Sequence, residues 1–212
     1  MAMQVALLDL GVGNMHSVER ALAVAASRSG RSVSILRSAS ADAIVKADAI
    51  VAPGQGGFAS GAQALAGGVA EALLEALRRG TPYFGICLGL QLLFETSAEA
   101  PGVSGLGWFS GTVEALDPRG VKIPHMGWNQ IEWASPGHRL LRALGPQGAW
   151  AYFVHSYHAH TTDPVVCATA THGNNRVTAA VARDQVFATQ FHPEKSQAGG
   201  LAMLTAFLEE PL

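Results

Sequence analysis

Cysteine is scarce in this sequence: only Cys87 and Cys167 occur, in very different contexts. Two distant cysteines form neither a disulfide framework nor the spaced pairs of a zinc site. This usage favours a cytoplasmic enzyme with one working thiol, and it gives no reason to expect a metal ion.

A strong charge of one sign and long apolar runs are also missing. The net charge is −2 without a basic block, so no binding to nucleic acid or to an anionic membrane surface is predicted. The longest uncharged stretches, such as Ala49 to Ala70, are interrupted by Gly, Pro and Gln and do not suit a bilayer. The start, Met1 to Asp9, has no positive n-region, so we expect a strand there and not a signal peptide.

What the sequence does contain is typical of a compact globular protein. Its 212 residues, 49% of them hydrophobic, suffice for a full core. There is no internal repeat and no linker long enough to separate two units. We therefore expect a single domain over residues 1–212.

Strands and helices alternate in the first half, which predicts a parallel sheet. The continuous apolar run Met3–Leu8 is typical of a strand covered on both faces. The other predicted strands here are Val33–Leu36, Ala49–Ala52 and the run that ends at Cys87. The predicted helices run from the N-cap Asn14 to Gly30, over Ala41–Ala47 and over Ala62–Arg79.

The second half contains short strands separated by turns, which favours antiparallel or mixed pairing. The sequence as a whole therefore predicts an α/β fold with a mixed, mainly parallel central sheet, flanking helices and a smaller antiparallel region. A closing helix is expected over Gly199–Leu208. The predicted strands are Thr112–Leu116, Asn129–Trp133, Ala151–Val154, Val165–Thr171, Val177–Ala182 and Val186–Gln190.

The most informative stretch runs from Tyr83 to Phe94, where a buried strand meets an apolar helix. Cys87 lies at the turn with Gly85 and Gly89 on either side, which parallels the Gly-x-Ser-x-Gly nucleophile elbow. Such a turn strains the nucleophile's backbone and leaves room only for small neighbours. The first turn of a helix favours a thiolate and offers N–H groups to an oxyanion. The alternative is that Cys87 is a small buried hydrophobe.

A His-Pro-Glu sequence follows the last predicted strand. Pro193 disfavours helical geometry at His192 and fixes its own φ, so an extended chain is expected. Glu194 then lies on the same side as the imidazole, where it can fix the tautomer and stabilise the imidazolium. Cys87, His192 and Glu194 would thus be nucleophile, base and orienter of a catalytic triad.

Other candidate features have competing interpretations. The glycine-rich stretch from Pro53 to Phe58 could cradle a phosphate, bring N–H groups to a small substrate, or be a plain surface loop. It lacks the Lys-Ser/Thr of a P-loop. His158 and His160 could share one face of a strand, but no spaced carboxylate or cysteine accompanies them, so no metal site is predicted. Cys167 lies in an apolar run and is expected in the core.

These residues together resemble the class I, triad-type glutamine amidotransferases, and most closely the glutaminase subunits of imidazole glycerol phosphate synthase. Leu10 and Gln55 depart from the pattern, which has tyrosine and a smaller or apolar residue there. The resemblance spans essentially the whole chain. It rests on Gly85-Ile86-Cys87-Leu88-Gly89-Leu90-Gln91, Phe191-His192-Pro193-Glu194-Lys195-Ser196-Gln197, Asp9 to Val18, Pro53 to Phe58, Tyr152 to Tyr157 and, as the most specific stretch, Lys122-Ile123-Pro124-His125-Met126-Gly127-Trp128-Asn129.

The resemblance implies a flavodoxin-like three-layer fold and hydrolysis of L-glutamine without a cofactor. Cys87 would attack the side-chain amide of glutamine. An oxyanion hole would be formed by the N–H of Leu88 and one from the loop of Gly54, Gln55 and Gly56. The glutamine would be bound by Gln91 and Glu95 and framed by the backbone of His155, Ser156 and Tyr157.

The resemblance also implies a heterodimer with a cyclase subunit, a (β/α)₈ barrel. The cyclase would use the ammonia to make imidazole glycerol phosphate and AICAR in histidine biosynthesis. The docking face is expected around Gly11, Asn14, Pro124, His125, Met126, Gly127, Trp128, Asn129 and Lys195. Two alternatives stay open. One is a subunit that feeds another acceptor synthase, for anthranilate, GMP or pyridoxal phosphate; the other is a non-catalytic binding module on the same fold.

Overall fold

The computed structural model describes residues 2–11, 13–134 and 136–210, and Val12 of the predicted Asp9–Asn14 turn lies outside them. In chain order, the elements are β1 (Met3–Leu8), α1 (Met15–Arg28), β2 (Val33–Ser38), α2 (Ala41–Lys46), β3 (Ala49–Gly54), α3 (Phe58–Ala64), α4 (Val69–Arg78), β4 (Tyr83–Cys87), α5 (Leu88–Gln91), β5 (Thr96–Ser97), β6 (Thr112–Ala115), β7 (His125–Gln130), α6 (Arg139–Leu144), β8 (Trp150–His155), β9 (Tyr157–His160), β10 (Val166–His172), β11 (Asn175–Arg183), β12 (Val186–Thr189), a 3₁₀ turn (Pro193–Lys195) and α7 (Gln197–Glu209).

A seven-stranded sheet forms the centre, in the order β10-β11-β12-β4-β3-β1-β2. The five strands from β12 to β2 are parallel, and β11 and β10 continue the sheet in antiparallel pairing. Two small sheets, β5-β6-β9 and β7-β8, lie outside it. The predicted fold is confirmed, with its parallel part and its smaller antiparallel region.

Helices cover both faces of the central sheet because its strands are apolar on both sides. In β1, Val5 and Leu7 belong to one buried cluster, whereas Ala6 and Leu8 belong to the other. This alternation follows from the two-residue period of a strand. Helices α1, α6 and α7 pack on the first face, and α2 and α4 pack on the second. None of the helices in the described ranges is long and apolar enough to cross a membrane.

Two predicted elements are wrong in their bounds. The helix expected over Ala62–Arg79 is two helices, α3 and α4. They are separated at Gly67 and Gly68, whose φ of +66° and +87° is left-handed and ends a helix. The strand expected over Asn129–Trp133 is β7, which begins at His125 because it pairs with β8 along its whole length.

Candidate active site

The turn after β4 holds Cys87 in an unusual backbone conformation. Its φ of 54° and ψ of −100° are rare for any residue with a side chain. A Cβ on Gly89 would lie 1.8 Å from the carbonyl oxygen of Ala52, and one on Gly85 would lie 2.7 Å from the carbonyl oxygen of Gly89. The predicted strained elbow with small neighbours is therefore confirmed. The helix behind it, α5, is a single turn over Leu88–Gln91.

The sheet order brings His192 to the elbow. Strand β12 pairs in parallel with β4, so the chain beyond Thr189 emerges beside Cys87. The N–H of His192 donates to the carbonyl of Tyr152 at 2.9 Å, and its carbonyl accepts from the Ser196 hydroxyl at 2.7 Å. That hydroxyl accepts in turn from the N–H of Tyr152 at 3.0 Å. The backbone of His192 is thus fixed from two sides.

Glu194 pairs with His192, although not through an extended chain. Oε1 of Glu194 lies 2.8 Å from Nδ1 of the imidazole, and both side chains are buried. His192 is extended, as predicted, but Pro193–Lys195 forms a 3₁₀ turn. Proline suits the first position of such a turn because its φ is already helical. The pairing was expected, and the predicted conformation behind it was wrong.

The charges around His192 favour the imidazolium. Burial lowers its pKa, but the negative charges of the Cys87 thiolate and the Glu194 carboxylate and their hydrogen bonds outweigh burial and raise the pKa to about 9. The other carboxylate oxygen of Glu194, Oε2, is buried without a hydrogen-bond partner among the described residues. The only side-chain hydrogen bond of this carboxylate among the described residues is therefore the one to the imidazole.

Gln55, one of the two departures from the family pattern, reaches this pair. Its side-chain nitrogen lies 3.4 and 3.5 Å from the two ring nitrogens of His192. Gly54 precedes it at the end of β3, directly opposite Cys87 in the sheet. The other departure, Leu10, is a buried core residue.

A cavity of about 380 Å³ opens in front of Cys87. Four of the five predicted glutamine-binding residues, Gln91, His155, Ser156 and Tyr157, line it. Glu95 does not: its carboxylate accepts from the N–H of Gly111 at 2.8 Å, away from the cavity. The remaining lining residues are Gln55, Gly56, Glu99, Val154 and Lys195.

Glu99 lines the cavity although the sequence did not predict it as a site residue, and it belongs to none of the motifs. Its carboxylate accepts from the N–H of Phe58 at 2.8 Å. Helix α3 begins after Gly57, which has no side chain to cap it, so Glu99 supplies the cap from a distant part of the chain.

A chain of hydrogen bonds runs behind the cavity and ends on the carbonyl of Tyr157. That carbonyl accepts from Nδ1 of His155 at 2.8 Å, which leaves Nε2 of His155 to accept from Nδ1 of His125 at 2.9 Å. Nε2 of His125 accepts from the amide of Asn129 at 3.1 Å. Burial lowers the pKa of His155 to about 3 and that of His125 to about 4, so both are neutral at pH 7.

The predicted docking residues on β7 divide between its two faces. Met126 and Trp128 point outward and are 62% and 42% exposed. His125 points inward and is buried, and the Asn129 side chain is bonded to it, because successive residues of a strand face opposite ways. Pro124 and Gly127 are partly buried, and Gly11 and Asn14 are exposed on the turn before α1. Lys195 lies with its ammonium 5.7 Å from the Tyr152 ring centre.

The remaining candidates lie apart from the cavity in front of Cys87. His158 and His160 are in β9, and no group of three His, Cys, Asp or Glu side chains in the described part of the chain could hold a metal ion. Cys167 is only partly buried because β10 is the edge of the sheet, which corrects its predicted place in the core. Burial still raises the pKa of its thiol to about 12.

Comparison with known proteins points to one family. The family model "Glutamine amidotransferase class-I" matches residues 7–210. The "Imidazole glycerol phosphate synthase subunit HisH" of Rhodospirillum rubrum is 43% identical over 211 residues, which cover 97% of this chain and 98% of that protein. The protein of the same name from Caulobacter vibrioides is 46% identical over 97% of both chains.

Solved structures share the fold at low sequence identity. The glutaminase domain of Trypanosoma brucei CTPS with bound acivicin aligns with a TM-score of 0.71, 17% identity and coverage of 98% of this chain and 94% of that one. PurLQS from Thermotoga maritima gives a TM-score of 0.68 at 18% identity, with 98% of each chain covered.

Proposed function

The chain belongs to the class I glutamine amidotransferase family, and we propose that it is the glutamine-hydrolysing subunit of an imidazole glycerol phosphate synthase. One observation carries the enzymatic part of the proposal. A cysteine on a strained elbow faces a cavity and shares its site with a buried histidine–glutamate pair, whose separation is 2.8 Å. A non-catalytic binding module would not require a cysteine in such a strained conformation.

The reaction converts glutamine and water into glutamate and ammonia through a thioester. The Cys87 thiolate attacks the side-chain carbonyl carbon of glutamine, and the oxygen becomes an oxyanion. The C–N bond breaks as the His192 imidazolium gives its proton to the leaving nitrogen, which releases ammonia. Neutral His192 then takes a proton from water, which attacks the thioester and releases glutamate, and the thiolate is restored. Glu194 holds the imidazole and stabilises its charge.

The oxyanion needs N–H donors on the side of the elbow. Leu88 is the first residue of α5, directly after Cys87. Gly54, Gln55 and Gly56 lie at the end of β3, the strand next to the elbow. The backbone N–H groups of Leu88 and of this loop are therefore the candidates for the oxyanion hole. Removal of one such donor typically lowers a rate by about a hundredfold or more.

The glutamine head group would occupy the cavity. The amide nitrogen of Gln91 already donates to two carbonyls, whereas its oxygen is bound by no donor of the described residues. That oxygen can accept from the substrate's ammonium group. The Lys195 ammonium, at the edge of the cavity, can pair with the α-carboxylate. Among the described residues, the Glu95 carboxylate bonds to the N–H of Gly111 and makes no contact that supports the role expected for it.

The partner is the other subunit of the synthase, and we propose that it is the cyclase, a (β/α)₈ barrel in a heterodimer. Met126 and Trp128 lie on one face of the β7–β8 hairpin together with Trp150, which is 55% exposed, and Val154 of the same face reaches the cavity. A partner on this apolar face would cover the cavity mouth. Ammonia could then pass without meeting bulk water, where it would be protonated.

Residues 1–212 would act as a single domain in the cytoplasm. Both cysteines are free, and Cys87 must stay reduced to react. A reducing compartment keeps such a thiol available.

Glutamate release tests the proposal. The purified chain is assayed with glutamine alone and then with the cyclase subunit and its ribonucleotide ligand, with Cys87→Ala as the inactive control. Strong stimulation by the loaded cyclase is expected. High activity without any response to the cyclase would retain the triad and point to another acceptor synthase. No release in either setting would leave a binding module.

A further inference from the structure

We infer that Gln190 is a further catalytic residue of this site, and that its side-chain amide donates a hydrogen bond to the sulfur of Cys87. The inference rests on the proposed glutaminase function. It adds a group that the triad and the substrate-binding residues do not include.

The contact lies beneath the elbow, on the side away from solvent. Nε2 of Gln190 is 3.4 Å from Sγ of Cys87, and the Gln190 side chain is fully buried. Gln190 directly follows β12, the strand that pairs with β4, and its own N–H is bonded to the carbonyl of Ala179 at 2.9 Å. The amide is therefore held in place by the central sheet.

The orientation of this amide is fixed by a backbone carbonyl. The carbonyl of Tyr157 can only accept, so the group that faces it at 3.0 Å must be the nitrogen of Gln91. The same nitrogen lies 3.1 Å from Gln190, which must therefore present its oxygen to Gln91. Its NH₂ group is left to face Cys87. No alternative amide flip satisfies all three contacts.

A donor at this position matters because the sulfur changes charge during the reaction. Sγ is negative in the thiolate that attacks glutamine, nearly neutral in the thioester, and negative again when water displaces it. An N–H donor to a charged acceptor is worth more than one to a neutral acceptor. Gln190 therefore favours both the reactive thiolate and its departure from the thioester. We expect its loss to slow the reaction about tenfold.

A purely structural role predicts something different. If Gln190 served only to satisfy Gln91, its replacement would disturb the cavity wall and leave the sulfur equally reactive. The reactivity of Cys87 towards a small alkylating agent separates the two roles, because it needs neither glutamine nor a partner.

The test uses the full chain in a Cys167→Ala background, where Cys87 is the only thiol. Gln190→Met keeps the length of the side chain and removes the donor. Gln185→Met, just before the start of the same strand, is the matched control. At pH 7 we expect iodoacetamide to modify Cys87 about tenfold more slowly in Gln190→Met and at the parental rate in the control. At a pH high enough to ionise Cys87 in every variant, the alkylation rates should converge. An unchanged rate at pH 7 in Gln190→Met would overturn the inference.

Gln190→Glu provides the test if the methionine variant does not fold. Its carboxylate still accepts from Gln91 but repels the thiolate, so alkylation at pH 7 should be at least about tenfold slower than in the parental chain. Parental reactivity in this variant would contradict the inference.

Turnover with the loaded cyclase gives a second readout. We expect kcat to fall about tenfold because Gln190 bonds to the reacting sulfur, whereas the loss of its bond to Gln91 bears on KM. A raised KM with unchanged kcat would overturn the inference in favour of the structural role. If the parental chain hydrolyses no glutamine but the alkylation order holds, the proposed function fails and the Gln190–Cys87 bond stands.

Discussion

At the scale of single residues, the conformation of Cys87 is the clearest sign that the site is built for chemistry. Non-glycine residues at positive φ carry strain on the order of 1–3 kcal/mol, and they persist where function requires them. Cys87 is one of three such residues in the described ranges, and it alone has its side chain in the cavity. The elbow thus gives up stability in order to direct the sulfur of Cys87 into the cavity.

This strain leads to a test of stability. Cys87→Gly should be more stable than Cys87→Ala, by about 1–2 kcal/mol, because only glycine adopts this φ freely. The order is the reverse of the usual one, since glycine normally destabilises regular structure relative to alanine. Urea unfolding of the two inactive variants measures the difference. Greater stability of the alanine variant would contradict the strained elbow.

The charge of His192 leads to a prediction about pH. With a pKa raised to about 9, His192 is protonated below that pH and can give a proton to the leaving nitrogen of glutamine. Activity should therefore fall as the pH rises through about 9. Glu194→Gln removes one of the charges that raise this pKa, so the fall should begin at a lower pH. Rate profiles of both proteins with saturating glutamine are the measurement, and an unshifted alkaline limb would argue against the pairing.

The sequence was sufficient to predict the chemical groups of the triad but not all of their neighbours. Cys87, His192 and Glu194 stand in local patterns with a physical meaning. Gln190 had one available signal, a polar residue inside the buried run that precedes His192. Glu99 had none, because it caps a helix forty-one residues before it in the chain.

At the scale of elements, the packing of α5 against β3 holds the elbow in place. Gly89 lies against the carbonyl of Ala52, in the neighbouring parallel strand. The helix can approach this closely only because Gly89 has no side chain. This contact and the pairing of Gly54 with Cys87 in the sheet together set the position of Cys87 relative to the loop of Gly54 to Gly56.

Substitution of this glycine should therefore be severe. In Gly89→Ala the added Cβ would meet backbone, which cannot yield, and we expect destabilisation of more than about 3 kcal/mol. Gly67→Ala is the control, because its Cβ would have open space and only the left-handed φ would cost about 1–2 kcal/mol. Chemical denaturation compares the two. Equal losses would show that the close contact does not hold the elbow.

Prediction of elements succeeded where periodicity was strong and failed where it was interrupted. Helix α1 buries the four residues that its pattern indicated, Met15, Val18, Leu22 and Ala25. The break between α3 and α4 depends on two adjacent glycines with positive φ. A helical pattern of apolar residues does not show whether a glycine adopts that conformation. The predicted start of strand β7, Asn129, is too late in the chain. Gly127 interrupts the strand pattern, and the true start at His125 is set by pairing with β8.

At the scale of the whole molecule, the order of the strands creates the site. Cys87 and His192 are 105 residues apart and meet only because β12 inserts beside β4. No local pattern specifies that pairing, so the sequence could predict both motifs without the topology that joins them. Only the family resemblance indicates that the two motifs belong to one active site.

The exposed face of the β7–β8 hairpin leads to a prediction about assembly. Trp128→Ala should weaken the affinity for the cyclase at least tenfold, because buried tryptophans are often the main anchors of an interface. Leu36→Ala removes another exposed apolar residue, on the edge strand β2 and outside the hairpin, and should leave the affinity unchanged. Titration calorimetry gives both values. Weakening by Leu36→Ala alone would place the partner on another face.

The chain is proposed to release ammonia from glutamine for a cyclase. The decisive measurement is the rate of glutamate release by the native chain and by Cys87→Ala, each with the cyclase subunit and its ribonucleotide ligand. We expect strong release by the native chain, none by Cys87→Ala, and equal binding of both to the cyclase. Release at the native rate by Cys87→Ala would contradict the proposal.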